Sequence, residues 1–184
     1  QDSVVAACAS IALWSCLQST GYKFHHYIPS PAEITKCASE YFPFLPRHFP
    51  NHGLTFEQIA LSFRKYNLEP YLVRISNILV LKYAVYSYIR AQLPIIMGFE
   101  LYNSGNVSLG LHAVTILGVN TNQSQQCSLQ AEAIDKIYVH DDQVCPFAGM
   151  ELNGLKRLST SWGCDCKAEP RFLAIPLTSK IRID

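Results

Sequence analysis

With 184 residues, the chain has the length of one domain or of two intimately packed lobes, enough to bury a sizeable core. Apolar residues make up 49 % and charged residues 16 %, a globular composition rich in core. The formal net charge of +1 gives nucleic acid or an anionic membrane no electrostatic hold.

No uninterrupted apolar run reaches the roughly 18 residues that a membrane span requires, so membrane insertion is not expected. The first helix, which is the longest apolar stretch, lacks the basic flank and cleavage pattern of a signal peptide. The chain begins with Gln1 rather than Met and reads as a processed or excised piece, which allows a larger protein or assembly around it. Seven cysteines (Cys8, Cys16, Cys37, Cys127, Cys145, Cys164 and Cys166) follow no repeating spacing and form no CxxC pair. That usage predicts a reducing, cytoplasmic setting rather than a disulfide framework.

Residues 4 to 20 read as a helix that Asp2 or Ser3 can cap and Gly21 can stop in the left-handed conformation. Ser30-Pro31-Ala32-Glu33 is a capping box with proline at the first helical position, predicting a second helix from 31 to about 41. FPFLPRHFPNHG reads as a loop. Thr55-Phe56-Glu57-Gln58 is another capping box, continued by IALSFRKYN as an amphipathic helix to about 67. EPYLVRI is a short strand, and YAVYSYIRAQ lies in a fourth helix, roughly 79 to 92.

Past residue 93 the texture changes. LPIIMGFEL, LHAVTILGV, KIYVHD, LKRLSTSW and FLAIPL are short, β-branched and aromatic, with turn or polar segments between them. Residues 120 to 133 form a polar excursion, and the stretch Gln143 to Met150 reads as a structural loop. A helical first half followed by a mostly antiparallel sheet is an α+β arrangement.

One combination carries chemistry. A thiol attacks carbonyl carbon as thiolate, and a helix N-terminus together with an imidazolium stabilises that form. Cys8 lies near the start of the first helix, and the dipole helps it more if the helix starts at Ala6 or Ala7 than at Val4. His112 opens the strand LHAVTILGV, where a sheet would hold its ring rigidly. IYVHDDQ supplies an acid, Asp141 or Asp142, at the end of the next strand. Antiparallel pairing would bring that strand end beside His112.

The ordered set Q…CASIALWSCL, LHAVTILGV and KIYVHDDQ resembles the papain-like cysteine peptidases. It is most similar to the compact branch that trims double-glycine leader peptides from bacterial exporters, and to phytochelatin-synthase-like enzymes. The resemblance implies a single papain-like domain over 1–184, with a helical lobe of about 1–92 and a sheet lobe of about 93–184. In it the nucleophile helix packs on the sheet. It also implies that Cys8 is the nucleophile, His112 the general base, Asp141 the residue orienting His112, and Gln1 a donor to the oxyanion. The expected activity is cleavage or transfer at a peptide or amide bond of a peptide or protein substrate, with no cofactor. The alternative is a catalytically weak or inactive papain-like domain that binds a peptide or partner protein. Ala9 favours it, because the family commonly has glycine after the nucleophile.

Other residues carry weaker readings. His25, His26, His48 and His52 fit no zinc spacing, so no metal is expected. Cys164-Asp165-Cys166 reads as a loop with two unpaired thiols. Tyr71, Tyr83, Tyr86, Tyr88 and Trp162 could line a cleft, although helical spacing of tyrosines points to a packed face with hydroxyls at its edge.

Overall fold

The computed structural model describes residues 8–40, 54–122, 127–152, 156–161 and 165–178. Among them are four α-helices and a seven-stranded antiparallel sheet, an α+β architecture.

The helices are α1 (Cys8–Phe24), α2 (Pro31–Glu40), α3 (Phe56–Lys65) and α4 (Ile78–Arg90). Both capping boxes form. The Glu33 carboxylate accepts from the Ser30 backbone N–H at 2.8 Å while the Ser30 hydroxyl accepts from the Glu33 N–H at 3.3 Å. Thr55 and Gln58 exchange the same pair at 3.2 and 2.9 Å. Asn77 caps α4, its Oδ1 accepting from Leu79 and Val80 N–H at 2.9 and 3.1 Å.

Gly21 does not stop α1. The helix continues to Phe24, and His25, at φ 57°, takes the left-handed position. The glycine serves another need. A Cβ at position 21 would lie 2.3 Å from Ile28 Cγ1, so the returning chain passes there only over a bare backbone.

The strands are β1 (Leu68–Arg74), β2 (Ile95–Tyr102), β3 (Ser108–Thr121), β4 (Ile134–His140), β5 (Ala148–Glu151), β6 (Leu158–Ser159) and β7 (Lys167–Thr178). Their order is β1-β7-β2-β3-β4-β5-β6, and β6 also pairs with β7. The run from β2 to β7 therefore closes into a ring, with β1 attached outside it along β7.

Three expectations change here. The stretch 143 to 150 is not wholly loop, because Ala148–Glu151 pairs with β4 at Ala148↔Val139 through Glu151↔Lys136. Turn-like Pro146 and Gly149 mask a strand too short to show alternation. The strand expected over 155 to 162 is, among its described residues, only Leu158–Ser159. His112 is the fifth residue of its strand rather than the first, since the ladder with β2 extends to Tyr102↔Ser108 through a bulge at Gly110 (φ 111°).

The two faces of β2 and β3 divide the core. Ile95, Met97, Phe99, Leu101, Val114 and Ile116 point into the ring, where Leu81 and Val85 of α4 join the same cluster. Ile96, Ala113 and Ala174 face the other way, against Ala9, Ala12, Leu13, Cys16 and Leu17 of α1 and against Ile34, Ile59 and Phe63. Alanines on both sides let α1 lie close to β3. There Thr115, fully buried, donates from Oγ1 to the Ala12 carbonyl at 2.7 Å. Hydrogen bonds from Ser10 to Thr35 (2.9 Å) and from Gln58 Nε2 to Ala38 O (3.0 Å) tie α2 into the stack.

Thr115→Val keeps the shape of the helix–sheet contact and removes its buried hydroxyl. We expect a loss of about 1 kcal/mol in urea unfolding. Unchanged stability would show that Thr115 does not help hold α1 to β3.

Candidate active site

Burial along β3 changes abruptly. Residues 108–111 are exposed and 112–116 are buried, so His112 stands at the rim of the ring. It pairs with Phe99, whose ring meets the imidazole edge-on at a centroid distance of 5.4 Å. Residue 112 thus gains a rigid backbone and an apolar brace on one side.

The carboxylate arrives by register. β4 pairs with β3 at Thr115↔His140, and one step further Asp141 falls opposite Val114. Val114 and His112 share a face, so Asp141 reaches the imidazole diagonally. Its Oδ2 lies 3.2 Å from His112 Nε2. Its Oδ1 accepts from the N–H groups of Gln143 and Val144 at 2.8 and 3.3 Å, and its own N–H donates to Cys145 O at 3.1 Å. Such a carboxylate, only 4 % exposed, has little freedom to turn away from the ring.

The same turn ends the strand and swings the next residue inward. Asp142 Oδ1 lies 3.8 Å from His112 Nε2, outside hydrogen-bond range, and it is buried without a hydrogen bond among the described residues. Burial raises the Asp142 carboxyl above the usual carboxylate range, with the Asp141 charge adding to the effect and the His112 charge opposing it.

Cys8 is half-buried, the first described residue of α1, and its side chain hydrogen-bonds His112. With Nε2 turned to the carboxylates, Nδ1 is the ring nitrogen placed for the sulfur. Burial by itself would lower the His112 pKa. The hydrogen bonds and negative charges of Asp141 and Cys8 outweigh it and push the value up to about 9. Cys16 on the same helix provides a contrast, since it is fully buried and burial pushes its thiol far up. Buried thiols of that kind are inert.

Cys8, His112 and Asp141 are therefore brought together, with Asp142 beside them. Gln1, and the segment that decides where the first helix starts, lie outside the described residues, as do His48, His52, Trp162 and Cys164. Of the other histidines, His26 is bound to Thr20 Oγ1 at 2.8 Å through Nε2 and to Tyr27 O at 2.7 Å through Nδ1. Tyr83 donates to Glu132 at 2.8 Å, Tyr86 donates to Gln130, and Tyr71 packs on Tyr88 at 6.0 Å. These rings tie α4 to the short turn Gln130–Ala133 and to β1. The six cysteines among the described residues are free, including Cys166.

His112, Asp141 and Asp142 bring donor atoms within 4.8 Å of one another, a spacing open to a divalent cation. Asp141, however, has one oxygen committed to backbone N–H groups and the other to the ring, so the set reads as acid–base machinery. Phe99 is the supporting part that sequence reasoning passed over, while the turn through Gln143 and Val144 was read only as a structural loop. An aspartate at the end of a strand, followed by a polar stretch in which an Asx-turn can form, was the available signal.

No family model matches this chain, and no curated protein matches it. None of the described helices is long and apolar enough to cross a membrane.

His112 binds its proton more tightly folded, near 9, than at the ordinary value of 6.5. Its contribution to stability is therefore complete below pH 6.5 and lost as pH rises through about 9. Urea unfolding of the wild type should show stability falling across that window, and Asp141→Asn should flatten the fall. A wild type equally stable at both ends would contradict the assignment.

Proposed function

We propose that this chain is a papain-like cysteine hydrolase or acyltransferase acting on a peptide or amide bond. One observation carries the reading: a single imidazole is hydrogen-bonded both to a half-buried thiol and to a carboxylate anchored by its own backbone turn. In this mechanism the Cys8 proton passes to His112, and Asp141 holds the resulting imidazolium in place. The thiolate adds to the substrate carbonyl carbon. When the tetrahedral intermediate collapses, His112 returns the proton to the leaving amine and a thioester remains on Cys8. Water, or an incoming amine or thiol, then releases the acyl group by the same steps in reverse. The Cys8 backbone N–H, with Gln1 as the resemblance implies, would serve the oxyanion.

An extended peptide suits the surroundings. Among the described residues, Ser108, Gly110 and Leu111 have a ladder partner on one edge only, β2, because β4 joins β3 from Thr115 onward. That edge offers backbone groups to an added strand directly beside His112. Leu111, 78 % exposed, and Leu109, 54 % exposed, offer apolar contacts along it.

The test is selective alkylation. With a fluorescent iodoacetamide at pH 6, Cys8 should label much faster than the other cysteines, and His112→Ala should abolish the difference. Labelling of Cys8 no faster than that of the remaining thiols would sink the enzyme and leave a domain that binds without cleaving.

A further inference from the structure

The turn after β4 leaves one feature that the Cys8–His112–Asp141 set does not use. Asp142 has its side chain only 10 % exposed, and its Oδ1 is buried with no hydrogen bond among the described residues. A carboxylate oxygen taken out of water without a donor is unfavourable, and folded proteins retain few such groups. This one is aimed at the Nε2 of His112, 3.8 Å away. The distance is too long for a hydrogen bond, and short enough for a charge on the ring to be felt strongly in a partly desolvated site.

Building on the thiol–imidazole reading above, we infer that Asp142 is a second positioning residue for His112. Its buried oxygen joins Asp141 in holding Nε2–H once the Cys8 proton has crossed to Nδ1. The two carboxylates divide the task by their anchorage. Asp141 is fixed through two backbone N–H groups and sets the orientation of the ring. Asp142 has no such anchor on Oδ1, so a small shift brings it to the proton when the ring becomes charged. The proton balance is simple: Sγ loses one, the ring gains one, and no other group changes state. A neutral imidazole gains little from the second carboxylate and an imidazolium gains much, so Asp142 favours the thiolate–imidazolium pair over the thiol–imidazole pair.

Among the described residues, His112 is influenced by Cys8 from α1 and by Asp141 and Asp142 from the turn after β4. Phe99 from β2 adds an uncharged wall. Asp142 in turn is influenced by its burial and, among the described residues, by His112, Asp141 and its own backbone N–H.

The experiment measures the rate of Cys8 alkylation by iodoacetamide from pH 4 to 9, together with Tm, for the wild type, Asp142→Asn and Asp142→Ala. The acid limb of the profile should move up by about one pH unit in the variants, which is roughly a tenfold slower reaction on that limb. Tm should stay the same or rise, because an oxygen without a donor has been removed. Variants whose limb superimposes on the wild type overturn the proposal, whatever their Tm, since a merely structural residue would lower Tm and leave the limb in place. If Asp142→Asn does not fold, Asp142→Ala carries the comparison; if neither folds, Asp142 is structural and the proposal fails. A wild type with no acid-pH reactivity at Cys8 defeats the thiol–imidazole reading and this inference together. A wild type with that limb and variants that keep it defeats the inference alone.

Discussion

An imidazole that carries a proton while mostly withdrawn from water must be matched by negative charge, and at His112 the matching groups come from two ends of the fold. Burial works against the charged ring, yet its pKa still rises to about 9 because Asp141 and Cys8 hydrogen-bond it and act on it through their charges. Asp141 and Cys8 each raise it against that burial. The arrangement of α1 against β3 and the register of β4 on β3 both serve this balance of charge against desolvation.

Each half of the balance has its own structural support. The sulfur is placed by α1, which sits close to the sheet because Ala9 and Ala12 meet Ala113 and because Thr115 reaches the Ala12 carbonyl. Larger residues at these positions would push the helix out. The carboxylate is placed by strand pairing, since Thr115↔His140 fixes where β4 ends, and the turn that follows is held by the carboxylate itself. Asp141 is thus a structural pivot as well as the partner of His112. The closure of β2 to β7 into a ring braces both strands from behind, with Met97, Phe99, Val114 and Ile116 packed inside.

Local rules written in neighbouring residues were legible in the sequence. Ser30 with Glu33, and Thr55 with Gln58, announce two helix starts, and both boxes form. Alternating β-branched stretches announce β2, β3, β4 and β7 as an antiparallel set. Long-range facts were less legible. The pairing of β6 with β7 that closes the ring involves two residue pairs and leaves no pattern in composition. The strand β5 is four residues long and begins beside a proline-containing turn. Gly21 carries the same letter whether it ends a helix or admits a neighbour, and only the path of Ile28 decides which. At the site, the sequence narrows the acid to two adjacent candidates. Strand alternation would send Asp141 and Asp142 to opposite faces, and the turn at 141 defeats that expectation by bringing both toward one nitrogen.

The most direct measurement is the protonation state of His112 itself, followed by ¹⁵N and ¹³C chemical shifts of its ring across pH. The expected result is an imidazolium protonated on both nitrogens at pH 7.5, giving up its proton only near pH 9, with that midpoint falling in Cys8→Ala. A ring that titrates near its ordinary 6.5 and ignores the loss of Cys8 would contradict it.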